Sequence, residues 1–160
     1  MKRLIVFAAV LAIVIVPSLA ADRPMEMSFG LDGVVFDNND RTVEAAWEWR
    51  FPIWKRVFIG PVVSWTHLKV DGESVDSLGL GGVGRYVLGS KSNHVYLSVE
   101  ALALTMDQEG YFVAPGVGVV LGGGDFFIDV GVDRPFRGDT AGSIVDEDSW
   151  RTRARLGLRF

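Results

Sequence analysis

The stretch "SWRTRARLGLRF", residues 149–160, alternates with period two. Trp150, Thr152, Ala154, Leu156, Leu158 and Phe160 share one parity, while Arg151, Arg153, Arg155, Gly157 and Arg159 share the other. Successive side chains of a β-strand point to opposite faces, so this is a strand with one apolar face and one arginine-bearing face. The fold turns on which solvent each face meets. If the arginines meet water, the chain is a soluble sandwich or barrel; if the apolar face meets hydrocarbon, it is a membrane barrel.

The same alternation recurs along the chain, and helical periodicity is hard to find after residue 21. Eight strands are expected, near 25–36, 42–51, 56–68, 77–88, 94–105, 111–121, 126–134 and 149–160. Most have roughly the 9–11 residues that a tilted strand needs to cross a bilayer. The connections "PIWK" (52–55), "GSKSN" (89–93) and "GGGD" (122–125) read as tight turns, whereas "KVDGESVD" (69–76) and "RPFRGDTAGSIVDED" (134–148) read as longer acidic loops. "NND" (38–40) and "DQEG" (107–110) are short connections at the loop end. Turns at one end and loops at the other is the layout of an outer-membrane barrel with both termini in the periplasm.

Three features turn the charges inward. Lys55, Lys69 and Lys91 fall in turns or at loop edges, while the strands carry Arg50, Arg85, Arg151, Arg153, Arg155 and Arg159 with Glu26, Asp32, Glu44, Glu48, Glu100, Asp129 and Asp133. Arginine and carboxylate pair in fixed bidentate geometry, which suits a confined polar interior. The opposite face places Trp49, Phe51, Trp54, Tyr86, Phe126 and Phe160 towards the periplasmic rim and Trp65, Tyr111 and Trp150 towards the outer rim, as two aromatic girdles. The charge-bearing face is otherwise small: Ser28, Gly30, Gly79, Gly81, Ser98, Gly116, Gly118 and Gly131. An eight-stranded lumen holds only side chains, so small residues make room for long ones. Asp32, Glu48, Glu100, Asp129, Asp133, Arg151, Arg153 and Arg155 are thus expected to form a lumenal charge network. Within it, Asp129, Asp133 and Asp32 are the expected partners of Arg153 and Arg155. The structural reading of these pairs, mutual neutralisation in a plugged lumen, outweighs paired catalytic carboxylates or a pore lining.

The chain has 160 residues, a net charge of −4 and no cysteine. "MKR", the run "LIVFAAVLAIVIV" and "PSLA" read as a cleavable secretory signal over 1–20, leaving one barrel domain over 21–160. Without Lys2 and Arg3 the expected mature chain holds 14 basic and 20 acidic residues, a net charge of −6. Such an acidic exported chain is a poor nucleic-acid binder.

Motifs that resemble chemistry dissolve on inspection. "GLGGVG" (Gly79, Gly81, Gly84) matches a dinucleotide fingerprint but lies within an alternating strand, without the helix that would meet a pyrophosphate. "GRYVLGSKS" has Ser90 where a phosphate loop requires lysine. The acids of "DGESVD" and "DTAGSIVDED" lack EF-hand spacing, so no metal and no cofactor is expected. Of the two histidines, His94 is expected as a solvated tip at a periplasmic turn. His67 shares a face with Trp65 at headgroup level and is the sole candidate catalytic residue. Its own strand offers no nucleophile, and an adjoining strand offers Ser77 near the outer rim, in a register that the sequence does not fix.

The whole expected mature chain resembles the small eight-stranded outer-membrane barrels of OmpA/OmpX type, which implies an all-β, antiparallel, up-and-down transmembrane barrel. The final strand ending on Phe160 resembles the assembly signal of such barrels, which implies recognition by the barrel assembly machinery. "VEAAWEWRFPIWKRVFIGPVVSW" (43–65) is similar to the early strand pair of the outer-membrane lipid A deacylase (PagL) family. That family carries a late His-x-Ser pair with a downstream acid. Here "VGVDRPFRGD" has neither His nor Ser, and Glu147 alone matches the acid. The expected function is therefore a monomeric, porin-like barrel of the Gram-negative outer membrane. It would contact lipids and lipopolysaccharide in a structural or surface-contact role, with a lipid A-modifying hydrolase as the alternative.

Overall fold

Alternating β-branched, aromatic and small residues build nine strands, and no helix forms among the described residues. They are β1 (Glu26–Val35), β2 (Arg41–Trp54), β3 (Val57–Val70), β4 (Glu73–Leu88), β5 (His94–Met106), β6 (Gly110–Gly123), β7 (Phe126–Asp133), β8 (Phe136–Arg137) and β9 (Arg151–Arg159). The computed structural model describes residues 24–35, 41–70, 73–89, 92–106, 110–137 and 150–160. The expected signal segment and most of the 134–148 loop lie outside them.

Every neighbouring pair is antiparallel, β1 pairs with both β2 and β9, and a β5–β6 pairing closes the ring. Strands β7 and β8 are one stave: Asp133 opposes Gly116 and Phe136 opposes Val113, so the register runs unbroken past Pro135, which has no amide to donate. The architecture is a closed eight-stave antiparallel barrel.

The register fixes its dimensions. Following partners once around the ring leads from Gly122 through Phe127, Gly157, Ser28, Glu48, Val62, Gly81 and Leu102 to Phe112, ten residues from the start on β6. Eight staves with that stagger give a tilt of about 41° and a backbone radius of about 8 Å. So narrow a ring bends its sheet sharply, and glycine permits the bend. A Cβ at Gly60 would collide with the carbonyl oxygen of Trp49, and one at Gly81 with that of Ala101.

Strands β2, β3 and β4 outrun the sequence reading. β2 continues through "PIW" to a turn at Lys55 and Arg56, with an irregularity in register between Pro52 and Trp54. β3 and β4 stay paired to Val70 and Glu73, so the expected 69–76 loop shrinks to two residues. Antiparallel strands need only a two-residue connection, and polarity alone does not stop a ladder from extending.

The faces are sorted opposite to those of a soluble protein. Arg50, Arg151, Arg153 and Arg155 are at most 2 % exposed inside, whereas Leu31, Leu97, Ile128 and Leu156 are 49–69 % exposed outside. A continuous apolar exterior of this kind suits hydrocarbon, not water.

Candidate functional site

The interior is layered along the barrel axis. At the end with the short turns, Phe58, Val87, Tyr96, Val120 and Phe127 form an apolar plug. Arg159 Nε donates to Glu26 Oε1 (3.0 Å) beside it. The sequence reading assigned the charges inward and left these apolar residues unremarked. Their only signal was parity: Tyr96 alternates in step with Ser98 and Glu100, as Phe127 does with Asp129.

Above the plug, Asp129 gathers three donors. Arg85 Nη1 lies at 2.5 Å and Arg50 Nη1 at 3.2 Å from its Oδ2, and Tyr96 donates its hydroxyl to Oδ1 at 2.5 Å. Arg85 stacks over the Tyr96 ring, with Cζ 4.2 Å from its centroid, and donates to Glu48 Oε2 at 2.9 Å. A guanidinium thus meets an aromatic face and two carboxylates at once, an arrangement a lysine ammonium would not match.

Arg155 opposes Asp129 in the ladder, yet it does not bind it. It donates from Nε to Asp32 Oδ1 (3.1 Å), from Nη2 to Asp32 Oδ2 and from Nη1 to Glu48 Oε2. The expectation that Asp129 partners Arg153 or Arg155 is corrected accordingly. Long side chains cross the lumen to meet strands several places away, so ladder neighbours need not be ion-pair partners.

Arg153 donates to Ser98 Oγ (3.0 Å) and Tyr96 Oη (3.3 Å), with Asp133 at 3.5 Å and Glu100 at 3.8 Å. Arg151 serves four carboxylates: Glu100 at 2.7 Å, Asp133 at 2.8 Å, Glu44 at 2.9 Å and Asp32 at 3.9 Å. Val62, Val83, Leu102 and Ala114 form a second apolar cluster among the buried residues.

The lattice therefore includes Arg50, Arg85 and Glu44 beside the eight residues of the expected network. Desolvating so many charges is costly, and the cost is offset only where each has bonded partners. The arrangement neutralises and rigidifies; it does not place a nucleophile beside a base.

Towards the exterior, Trp54, Trp65, Tyr86, Tyr111, Trp150, Phe126 and Phe160 are exposed, while Trp49 and Phe51 are half-buried. Trp49 stacks on Trp47 (5.4 Å between centroids, 10° between planes), and Trp47 meets Phe29 edge-on at 5.8 Å. An apolar outward groove of about 580 Å³ runs beside them, between Trp47, Phe29, Leu156 and Phe126. The Phe160 amide donates to Met25 O at 3.0 Å, extending the β1–β9 seam.

Of the two histidines, His94 differs from expectation and His67 keeps its expected outward face. His94 begins β5 with its ring turned inward, 8 % exposed, because its parity matches Tyr96. His67 faces outward and half-exposed, and its Nδ1 lies 2.9 Å from Asp76 Oδ1, its direct partner across β3 and β4. Asp76 was missed because the reading placed it in a loop. Ser77 is not His67's neighbour: it turns inward, 1 % exposed, opposite Thr66. Gly79, Gly81 and Gly84 all lie within β4.

No protein-family model and no curated protein matches the chain. Among solved structures it is similar to one from the de novo design of transmembrane β-barrels, with a TM-score of 0.56 at 11 % identity over 86 % of this chain and 95 % of that one. It is also similar to the solution structure of the designed barrel TMB2.3, with a TM-score of 0.52 at 13 % identity over 87 % of this chain and 97 % of that one. The likeness is one of fold: this chain has the transmembrane β-barrel fold.

Proposed function

We propose that this is an integral outer-membrane barrel of a Gram-negative envelope with a structural or surface-contact role and a lumen closed to solutes. Its partners would be outer-membrane lipids, lipopolysaccharide and, during biogenesis, the barrel assembly machinery; the folded unit would be a monomer. One observation carries the reading: the lumen is occupied by a bonded arginine–carboxylate lattice above an apolar plug. Opening a water path would strip charges of their partners and wet Phe58 and Phe127. The test is solute release from phospholipid vesicles, alongside fractionation of the host envelope. The protein should co-fractionate with outer membranes, and vesicles holding it should release sucrose no faster than empty ones. Rapid release, or a soluble periplasmic protein, would overturn the reading.

The second reading, hydrolysis of an outer-leaflet lipid ester, has one observation in its favour. Asp76 holds His67 through Nδ1, the orientation in which a base keeps Nε2 available. Against it stands the inward Ser77, which removes the hydroxyl expected beside His67. Mass spectrometry of lipid A with and without the protein separates the two readings. We expect no change in acyl number and no effect of His67→Ala on any lipid. Loss of one acyl chain on expression, abolished by His67→Ala, would establish the hydrolase.

A further inference from the structure

At the loop end of the lumen the lattice changes character. Glu44 opposes Thr66 across β2 and β3, and Thr66 opposes Ser77 across β3 and β4, so three oxygen-bearing side chains occupy one rung. Ser64 lies one inward step below Thr66. All four are buried: Glu44 to 5 % exposure, Thr66 to 8 %, and Ser64 and Ser77 to 1 % each. Gly79 faces Ser64 on β4, and a Cβ there would collide with the Ser64 Oγ. Glycine thus leaves that hydroxyl its space.

The protein satisfies these oxygens only in part. Glu44 Oε2 accepts from Arg151 Nη1 and the Ser64 hydroxyl lies against the Glu44 carboxyl, while Ser77 Oγ has no hydrogen-bond partner among the described residues. A buried orphan of this kind is costly. Guanidinium contacts are sparse in the same place. Glu44 has a share of a single arginine, and that arginine also serves Glu100, Asp133 and Asp32. Glu44 is thus the buried carboxylate with the fewest guanidinium contacts among the described residues, with the Ser64 hydroxyl against it and Ser77 on the same rung.

We propose that Glu44 Oε1, Ser64 and Ser77, with Thr66 between them on the rung, form a binding site for a monovalent alkali cation, Na⁺ or K⁺. The donor set is oxygen alone, which excludes a preference for metals that select imidazole or thiolate. It offers one carboxylate, whereas a Ca²⁺ site collects six to eight oxygens with several carboxylates among them. No group of three or more His, Asp or Glu side chains able to hold a metal occurs among the described residues. A bound monovalent ion would neutralise the Glu44 carboxylate, take up the hydroxyl oxygens and tie β2, β3 and β4 together at the loop end.

The test is urea unfolding of the refolded barrel in phosphatidylcholine vesicles, titrated with NaCl, KCl or choline chloride at constant ionic strength. Na⁺ or K⁺ should raise the unfolding midpoint saturably and choline should not, because a ligand that binds only the folded state stabilises it by mass action. Glu44→Gln should abolish the dependence. Ser77→Ala keeps the charge and removes one hydroxyl, so it serves if Glu44→Gln does not refold. It should weaken the apparent ion affinity about tenfold, as expected for one lost hydrogen-bonding ligand. Crystals grown with RbCl should show an anomalous peak beside Glu44. Identical midpoints in the three salts, an unchanged affinity in Ser77→Ala, or no rubidium peak would mean that water alone fills the site, and would overturn the proposal.

Discussion

Replacing Arg155 with methionine tests the lumenal lattice where its connectivity is most asymmetric. Asp32 has one close guanidinium, Arg155, which grips both its oxygens; the next is that of Arg151, with Nη1 at 3.9 Å, whose three nitrogens already serve Glu44, Glu100 and Asp133. Arg155→Met therefore strands a carboxylate that is 1 % exposed. Breaking a buried pair by removing one partner costs about 3–5 kcal/mol, a factor of roughly 10² to 10³·⁵ in the folding equilibrium. Glu48 is spared, because it keeps Arg85 at 2.9 Å and Arg50 at 3.4 Å. The converse change, Asp32→Leu, leaves Arg155 its bond to Glu48 and has Glu100 at 3.6 Å, so its cost should fall to about 1–3 kcal/mol. The double variant Asp32→Leu/Arg155→Met removes both charges and should lie within about 1 kcal/mol of the native chain, since apolar replacement of a whole buried pair is often neutral or better. The coupling energy should then be at least about 3 kcal/mol. The assay is reversible urea unfolding in vesicles, followed by tryptophan fluorescence. Equal and additive costs for the two single variants, or Arg155→Met within 1 kcal/mol of native, would refute the connectivity.

Three further outcomes are expected. Ala154 faces outward near the middle of β9, so Ala154→Arg should destabilise the barrel in vesicles by about 2–4 kcal/mol; a change of less than 0.5 kcal/mol would place that face in water. The unboiled protein should migrate faster on detergent gels than the boiled protein, because a closed ladder has no edge at which to fray; a single mobility would contradict closure. Deleting Phe160, whose amide extends the β1–β9 seam, should lower membrane assembly far more than deleting a residue within 138–148; equal yields would remove any special role for the terminus.

How much was legible in the sequence follows from what is local. Period two is a property of neighbouring residues, and it alone puts Arg151, Arg153 and Arg155 on the face opposite Leu156 and Ala154. With the tight turns, that was enough to read strands, their number and an antiparallel barrel. Parity also carried information that a reading by polarity passed over. Tyr96, Phe127 and His94 have the inward parity, yet the first two drew no assignment and the polarity of His94 argued for solvent. Strand ends were less legible, since Ser74 to Asp76 look like loop by composition and become strand because Lys69 and His67 lie opposite them.

What the tertiary structure alone decided is who meets whom. The ten-residue stagger sets the height at which each side chain enters the lumen, and it accumulates over all eight staves, so no local window contains it. It sends Asp129 to Arg85, Arg50 and Tyr96 rather than to its ladder partner Arg155. The β3–β4 register brings Asp76 against His67 on the outside, and the rung of Glu44, Thr66 and Ser77 is left with one shared arginine. Alternation tells a residue which way to face; only closure of the ring tells it what it will find there.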